Sequence, residues 1–276
     1  MKKYIYILVL LSFTFYSCDN MHDGWYEEDN TPPAAPRNIY VMNGDNRVDI
    51  EWDRNGEGDL AGYGVYYSYS YDGEYTLIAT TTDNYFVDYE AVNGDKYYYA
   101  VMAYDDNGNE SDLSKDVVYA APRPEGYNQA IFDYINYPNN SGYAFSEYQV
   151  VPYDDLEADF YFENYNGTFY LDVWSDTDIQ DLGQTRDIYD IPFAPETGWS
   201  ETGDVIAKPG HTYVIWTWDN HYAKVRVKSI TGTRIVFDWS YQLIEGERLL
   251  KNKNDKERQP LTSKITRTKT VQLKAE

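Results

Sequence analysis

Cysteine, histidine and basic residues are all scarce in this chain of 276 residues, which has one cysteine and three histidines. Its 23 lysines and arginines face 46 aspartates and glutamates, which gives a net charge of −23 at pH 7. A nucleic-acid partner would require a basic patch that displaces counterions from phosphate. The composition therefore argues against nucleic acid as a partner.

Catalytic motifs are also missing from the sequence. There is no Gly-x-Ser-x-Gly elbow, no His-Glu-x-x-His zinc helix and no Gly-rich phosphate loop. Among so many acids a carboxylate pair at glycosidase spacing arises by chance, so Glu147, Glu157, Asp159 or Glu163 cannot be singled out. We expect a binding protein that is not an enzyme, with no metal and no cofactor. The alternative is a glycan-directed hydrolase with an unrecognised carboxylate pair.

The only cysteine, Cys18, follows a segment typical of export signals. Lys2 and Lys3 are followed by an uncharged, mostly apolar stretch over 4–16, shorter than the ~20 residues that span a bilayer. We therefore predict a signal peptide over 1–17. Residues 15–18 resemble the lipobox of bacterial lipoproteins, which implies cleavage before Cys18 and acylation of its thiol, as with palmitate. An ordinary secretory signal with a chance cysteine is the alternative.

Residues 18–30 form a predicted acidic tether. Its acids are Asp19, Asp23, Glu27, Glu28 and Asp29. This composition is similar to the surface-export signals of Bacteroidota-type lipoproteins. The resemblance implies a protein anchored by lipid to the outer membrane, with its body facing outward.

Short alternating segments separated by turn residues fill 31–121 and predict an antiparallel β-sandwich. The proline-rich start, Trp52, Gly62-Tyr63, Tyr97-x-Tyr99 and Gly108-Asn109-Glu110-Ser111 occur in the order of a fibronectin type III domain, which these residues resemble. The resemblance implies that Trp52 is a core residue, that the Tyr97 hydroxyl bonds to backbone, and that the domain is a spacer. Residues 105–109 fit a hairpin turn better than a calcium loop.

A proline-bearing linker is predicted over 122–126, followed by a second antiparallel β domain over 127–250 and a basic tail over 251–276. The whole chain is therefore predicted to be all-β. Three segments in the second domain, 211–218, 222–230 and 234–243, are joined by short links and should pair as a meander.

Period-two alternation assigns faces to these strands. Ile235, Phe237, Trp239 and Tyr241 share one face and are predicted core residues. Lys224, Arg226 and Lys228 form a basic stripe in an acidic domain. The stripe is either an anion or carboxylate site or, in the favoured interpretation, a solvated face paired with acids on adjacent strands.

Tryptophans are the remaining candidates for ligand contact. Trp216 and Trp218 share a face with Val214, and they form a stacking platform if that face points outward or core packing if it points inward. The long loop over 187–203 carries Trp199, which we select as the strongest single candidate because binding residues concentrate on such loops.

Residues 210–227 are similar to the closing hairpin of HmuY-like haem-binding lipoproteins, in which paired histidines hold haem. Here His211 and His221 would end one extended strand ~33 Å apart at about 3.3 Å per residue. Two axial ligands must lie close to one iron, so haem binding ranks as a third alternative. The sequence predicts instead a lipid-anchored protein that binds an extracellular polysaccharide or protein.

Overall fold

A computed structural model of the chain describes residues 29–116 and 118–250, together with the backbone of Thr266 and Arg267. Over these ranges the only helix is one 3-10 turn, Pro138–Asn140, and no helix has the length and apolar character to cross a bilayer. The predicted all-β class is confirmed. Cys18, the predicted signal peptide and most of the predicted acidic tether lie outside the described residues, as does nearly all of the predicted basic tail.

The first domain is a sandwich of two antiparallel sheets. Its strands are β1 (Tyr40–Gly44), β2 (Arg47–Glu51), β3 (Leu60–Ser68), β4 (Glu74–Thr81), β5 (Tyr85–Asp88), β6 (Tyr97–Asp105) and β7 (Val118–Ala120). One sheet has the order β1-β2-β5 and the other the order β4-β3-β6-β7. The two-residue strand β18 (Thr266–Arg267) runs parallel to the start of β4.

The two structural predictions for this domain are confirmed. Trp52 is 2% exposed and its ring lies 5.2 Å from that of Tyr63 in an edge-to-face contact. The Tyr97 hydroxyl accepts a hydrogen bond from the Val92 amide at 2.9 Å. Both side chains therefore stabilise the sandwich from inside and are occupied by structural contacts.

The second domain is a sandwich of two five-stranded sheets around a larger aromatic core. Its strands are β8 (Glu125–Phe132), β9 (Gly142–Ala144), β10 (Gln149–Val151), β11 (Phe160–Tyr165), β12 (Thr168–Asp172), β13 (Asp178–Gln184), β14 (Asp204–Ile206), β15 (His211–Trp216), β16 (Tyr222–Thr231) and β17 (Arg234–Gln242). The sheet orders are β10-β9-β11-β12-β14 and β13-β15-β16-β17-β8.

The predicted meander is present, because β15 pairs with β16 and β16 with β17, both antiparallel. Ile235, Phe237, Trp239 and Tyr241 all point into the core, as their alternation predicted. They meet the side chains of Phe145, Phe160 and Phe162 from the opposite sheet, and the Tyr143 ring lies 5.4 Å from that of Phe237. Aromatic packing between the sheets therefore holds this domain together.

The segment predicted as a linker is packed into the protein. Residues 121–124 are all buried, and β8 begins at Glu125, inside the range 122–126. The Arg123 amide donates to the Gly44 carbonyl at 3.1 Å, and the Gly94 amide donates to the Pro122 carbonyl at 3.0 Å. These backbone bonds tie the connecting segment to turns of the first domain.

Candidate functional site

The outer face of the sheet β10-β9-β11-β12-β14 carries an alternating polar and aromatic pattern. Along β11, Phe160 and Phe162 point into the core, so Tyr161 and Glu163 point outward. Tyr161 lies opposite Asp172 on β12. Asp172 in turn lies opposite Asp204 on β14. Tyr170 lies opposite Glu163, so register alone places two tyrosines and three carboxylates on one surface.

Loops add three more rings to this surface. Tyr134 follows β8, Tyr153 follows β10 and Trp174 follows β12. The Tyr134 ring lies 5.0 Å from Tyr153 and 5.4 Å from Tyr161. The Trp174 ring lies 5.6 Å from Tyr161 and 6.4 Å from Tyr153. We call these four residues the aromatic platform. Trp174 is 41% exposed, so the platform presents an indole to solvent.

Asp172 is the chemically unusual group beside the platform. It is 8% exposed, and its Oδ2 atom has no hydrogen-bond partner among the described residues. Burial, followed by the nearby charges of Glu163 and Asp204, raises the pKa of Asp172 to about 7. Burial and the Asp172 charge also raise the pKa of the Tyr161 hydroxyl. The site therefore combines a partly desolvated carboxyl group with aromatic faces.

These groups suit a polyhydroxylated ligand. Flat rings offer apolar contact to the C–H face of a sugar, and carboxylate oxygens accept hydrogen bonds from its hydroxyls. Glu163, Asp172 and Asp204 would repel an anionic ligand. The chemistry favours a neutral glycan over one built from uronic acids.

The predicted tryptophans divide between packing and exposure. The Val214 face does point away from the core, but the loop over 187–203 covers it. Trp199, on that loop, and Trp216, on the strand beneath it, are half-buried with ring centroids 6.0 Å apart, and both contact the Tyr222 ring. Trp218 lies beyond the end of β15 and is 56% exposed. Trp216 and Trp218 therefore do not form a joint platform.

The basic stripe serves mainly to hold that loop. Lys224 is fully buried, and its Nζ donates to the carbonyls of Ile188 at 2.6 Å and Ile191 at 3.1 Å. Arg226 donates to the Thr185 carbonyl at 2.9 Å. The expectation of a solvated face is wrong for Lys224, because the loop covers this part of the sheet.

Lys228 at the end of the stripe matches the expected pairing with an acid on an adjacent strand. Its Nζ lies 3.4 Å from the Asp238 carboxylate on β17 and donates to the Asn128 side chain at 2.8 Å. The structure thus places Lys224 and Arg226 in internal contacts, and Lys228 in a partly exposed ion pair with the buried Asp238.

The two histidines of the second domain occupy different ends of β15. A turn over 217–220 separates His221 from β15, so the single extended strand expected over 211–221 is wrong. His211 still lies about five residues, or ~17 Å, from Trp216, the end of β15 next to that turn. Their Nδ1 atoms lie 2.9 Å from Asp181 and 3.1 Å from Asp219, respectively. This arrangement does not suit two axial ligands of one haem.

One carboxylate cluster in the described residues has the spacing of a metal site. Ligand atoms of Asp29, Asp59 and Asp105 lie within 4.8 Å of one another. However, Asp105 Oδ1 already accepts the amides of Asn107 and Asn109 at 2.9 and 2.8 Å. Its carboxylate therefore closes the turn over 105–109 that the sequence predicts.

The sequence alone does not single out the four residues of the aromatic platform. One signal was available, because the segments 161–163 and 170–174 both place aromatic and acidic residues at alternate positions. The register that joins the two strands, and the loop rings of Tyr134 and Tyr153, come only from the structure.

Known proteins match parts of the chain. No protein-family model matches. A segment of 101 residues is 39% identical to an amylopullulanase of Thermoanaerobacterium thermosulfurigenes, covering 36% of this chain and 5% of that enzyme. An amylopullulanase of Thermoanaerobacterium saccharolyticum is 37% identical over 101 residues, covering 36% of this chain and 8% of the enzyme. The chain therefore spans less than a tenth of the length of these relatives.

Solved structures give similar partial matches. An Fn3-like protein from Clostridium thermocellum is 27% identical with a TM-score of 0.29, covering 35% of this chain and all of that one. A DUF4466 family protein from Parabacteroides merdae is 10% identical with a TM-score of 0.40, covering 76% of this chain and 99% of that one.

Proposed function

We propose that this protein binds a neutral extracellular glycan on the aromatic platform of its second domain and does not act on it chemically. The observation that carries the proposal is the union of four contacting rings, one of them the solvent-facing Trp174 indole, with the acids Glu163, Asp172 and Asp204 on one surface. Sugar hydroxyls would donate to the more accessible carboxylates of Glu163 and Asp204, and the Trp174 indole would cover a sugar ring.

The sequence relatives support a glycan as ligand. The matched segments belong to amylopullulanases, which are glycan-active enzymes by name, and they cover a small part of each enzyme. A short module shared with such enzymes fits a role in binding. The net charge of −23 also disfavours acidic polysaccharides.

A hydrolase is the second candidate function, because Asp172 has a carboxyl pKa near 7 and lies close to another acid. Its exposed fraction of 8% argues against that role, since a general acid must reach the glycosidic oxygen. Release of reducing sugar from the bound polysaccharide would establish the hydrolase instead.

We further propose that Cys18 is acylated and holds the protein at the outer membrane, facing outward. The support is the sequence pattern of residues 2–18 and the acids that follow it. Metabolic labelling with palmitate tests the anchor, and Cys18→Ser should abolish incorporation. Label that persists in Cys18→Ser would refute acylation at this residue.

Affinity electrophoresis of the full-length protein in gels containing pullulan, amylopectin or polygalacturonate tests the glycan proposal. We expect retardation by at least one neutral polymer and none by polygalacturonate. Trp174→Ala should weaken binding by about 30-fold, the factor that ~2 kcal/mol of a binding hot spot represents.

Trp218→Ala is the matched control, because Trp218 is even more exposed than Trp174 but lies outside the platform. It should bind like the wild type. Equal losses in both variants, or a loss in Trp218→Ala alone, would overturn the assignment of the platform.

A further inference from the structure

A second concave surface lies in the first domain, on the open side of its sandwich. A groove of about 430 Å³ runs between β5 of one sheet and β3 and β6 of the other. Tyr67, Tyr69, Tyr89 and Tyr97 contribute to its lining. The spacer function expected of this domain does not require such a groove, and the groove is separate from the aromatic platform.

Three of the tyrosines pack against one another along one part of this groove. The Tyr67 and Tyr69 rings are 5.4 Å apart and nearly perpendicular at 88°. The Tyr97 ring lies 5.8 Å from Tyr67 and 5.4 Å from Tyr69. Tyr69 is 63% exposed. The three rings contact one another, so a cation would lie on their outer surface, where Tyr69 is exposed, and not between them.

Acidic groups complete the lining. Asp88 and Glu90 both border the groove, and none of its lining residues is basic. Asp88 is held in place, because its Oδ2 accepts the Tyr99 hydroxyl at 2.7 Å and its Oδ1 accepts the Glu90 amide at 2.9 Å. A fixed negative charge therefore lies beside the tyrosine faces.

The fourth ring already receives a cation on its surface. The Arg47 guanidinium carbon lies 5.7 Å from the centroid of the Tyr89 ring, within the range of a cation–π contact. Tyr89 is 69% exposed and also lines the groove. Arg47 is held by its ion pair with Asp49 outside the groove, and its contact with Tyr89 shows that this ring face accepts a positive group.

We infer that this groove binds an alkylammonium group, such as that of choline or trimethyllysine, against the faces of Tyr67 and Tyr69. The tyrosine faces and the carboxylates of Asp88 and Glu90 all attract positive charge. A neutral sugar would gain apolar contact with the rings but none of this attraction of charge. An anion would meet two like charges and no basic residue in the lining.

Isothermal titration of the full-length protein with choline chloride tests the inference, with 3,3-dimethylbutan-1-ol as the neutral analogue of the same shape. Choline should bind at least about tenfold more tightly, the factor that 1.4 kcal/mol represents and within the range of a desolvated cation–π contact. Comparable affinity for the two compounds would refute an ammonium site. Titration with a trimethyllysine peptide beside choline shows whether the alkylammonium group comes from a protein side chain or from a free compound.

Variants locate the site. Tyr69→Ala should reduce choline affinity about tenfold, whereas Tyr69→Phe should retain most of it because a cation needs the ring face and not the hydroxyl. Tyr165→Ala, at an exposed tyrosine of the second domain, is the matched control and should have no effect. The inference fails if Tyr69→Phe loses as much affinity as Tyr69→Ala, or if pullulan displaces choline from the wild type.

Discussion

Replacing Asp172 with asparagine should make the protein more stable at high pH and leave it unchanged at low pH. The carboxyl pKa of Asp172 is raised from 3.8 to about 7 by burial and then by Glu163 and Asp204. Between these values the folded state holds a proton that the unfolded state has lost. The stability that the protonated carboxyl contributes is therefore present below pH ~4 and is lost as the pH rises to about 7.

The magnitude follows from the size of the shift. Roughly three pKa units at about 1.4 kcal/mol each set an upper bound of ~4 kcal/mol on the free energy of unfolding lost by pH 8. Asparagine is neutral at every pH and similar in shape, so Asp172→Asn avoids that loss. Asp159, whose carboxyl pKa burial also raises to about 7, is present in both proteins and cancels in the comparison.

Urea unfolding at pH 4.5 and pH 8, followed by tryptophan fluorescence, measures this difference. Five of the seven tryptophans lie in the second domain, so the signal reports mainly on that domain. The gain of the variant over the wild type should grow with pH. Asp154→Asn, at an exposed acid of the same domain, should show no such growth. A difference between the two pH values of less than about 0.5 kcal/mol would refute the desolvation of Asp172.

Two further changes test the packing of the second domain. Lys224→Met keeps the buried stem but leaves two loop carbonyls without their donor. The free energy of unfolding should therefore fall by about 2–4 kcal/mol in urea titrations. In the same titrations the control Lys228→Met should cost less than about 1 kcal/mol. Gly126→Ala should lower the melting temperature, because its new Cβ would lie 2.1 Å from the Trp239 Nε1 atom. Gly56→Ala serves as control, because a Cβ at Gly56 would have no heavy atom within 4 Å. Unchanged stability in Lys224→Met, or equal effects of the two alanine variants, would contradict these packing assignments.

The sequence predicts the fold well where strands are long enough to show their alternation. The nine residues of β17 place Phe237 and Trp239 on one face, and this face is in the core. By contrast, β9, β10 and β14 have three residues each, too few to reveal a period of two. Strand β8 begins in a proline-containing segment that reads as a linker.

The site is less predictable than the fold because it depends on contacts between distant residues. Alternation correctly puts Lys224 on the face opposite the core, but nothing in β16 shows that the loop over 187–203 covers it. In the same way, Trp174 and Tyr134 are forty residues apart, and only the strand register and two loops bring them to one surface. Sequence patterns assign a face to a residue but not the neighbours that cover that face.

The most direct test of glycan binding at the platform is ¹⁹F NMR of the protein labelled with 5-fluorotryptophan, which gives one resonance for each of its seven tryptophans. Trp174→Phe assigns the resonance of interest. On saturation with pullulan, the resonance of Trp174 should shift while those of Trp199, Trp216 and Trp218 remain in place. A shift of any of these three with Trp174 unchanged would contradict the account.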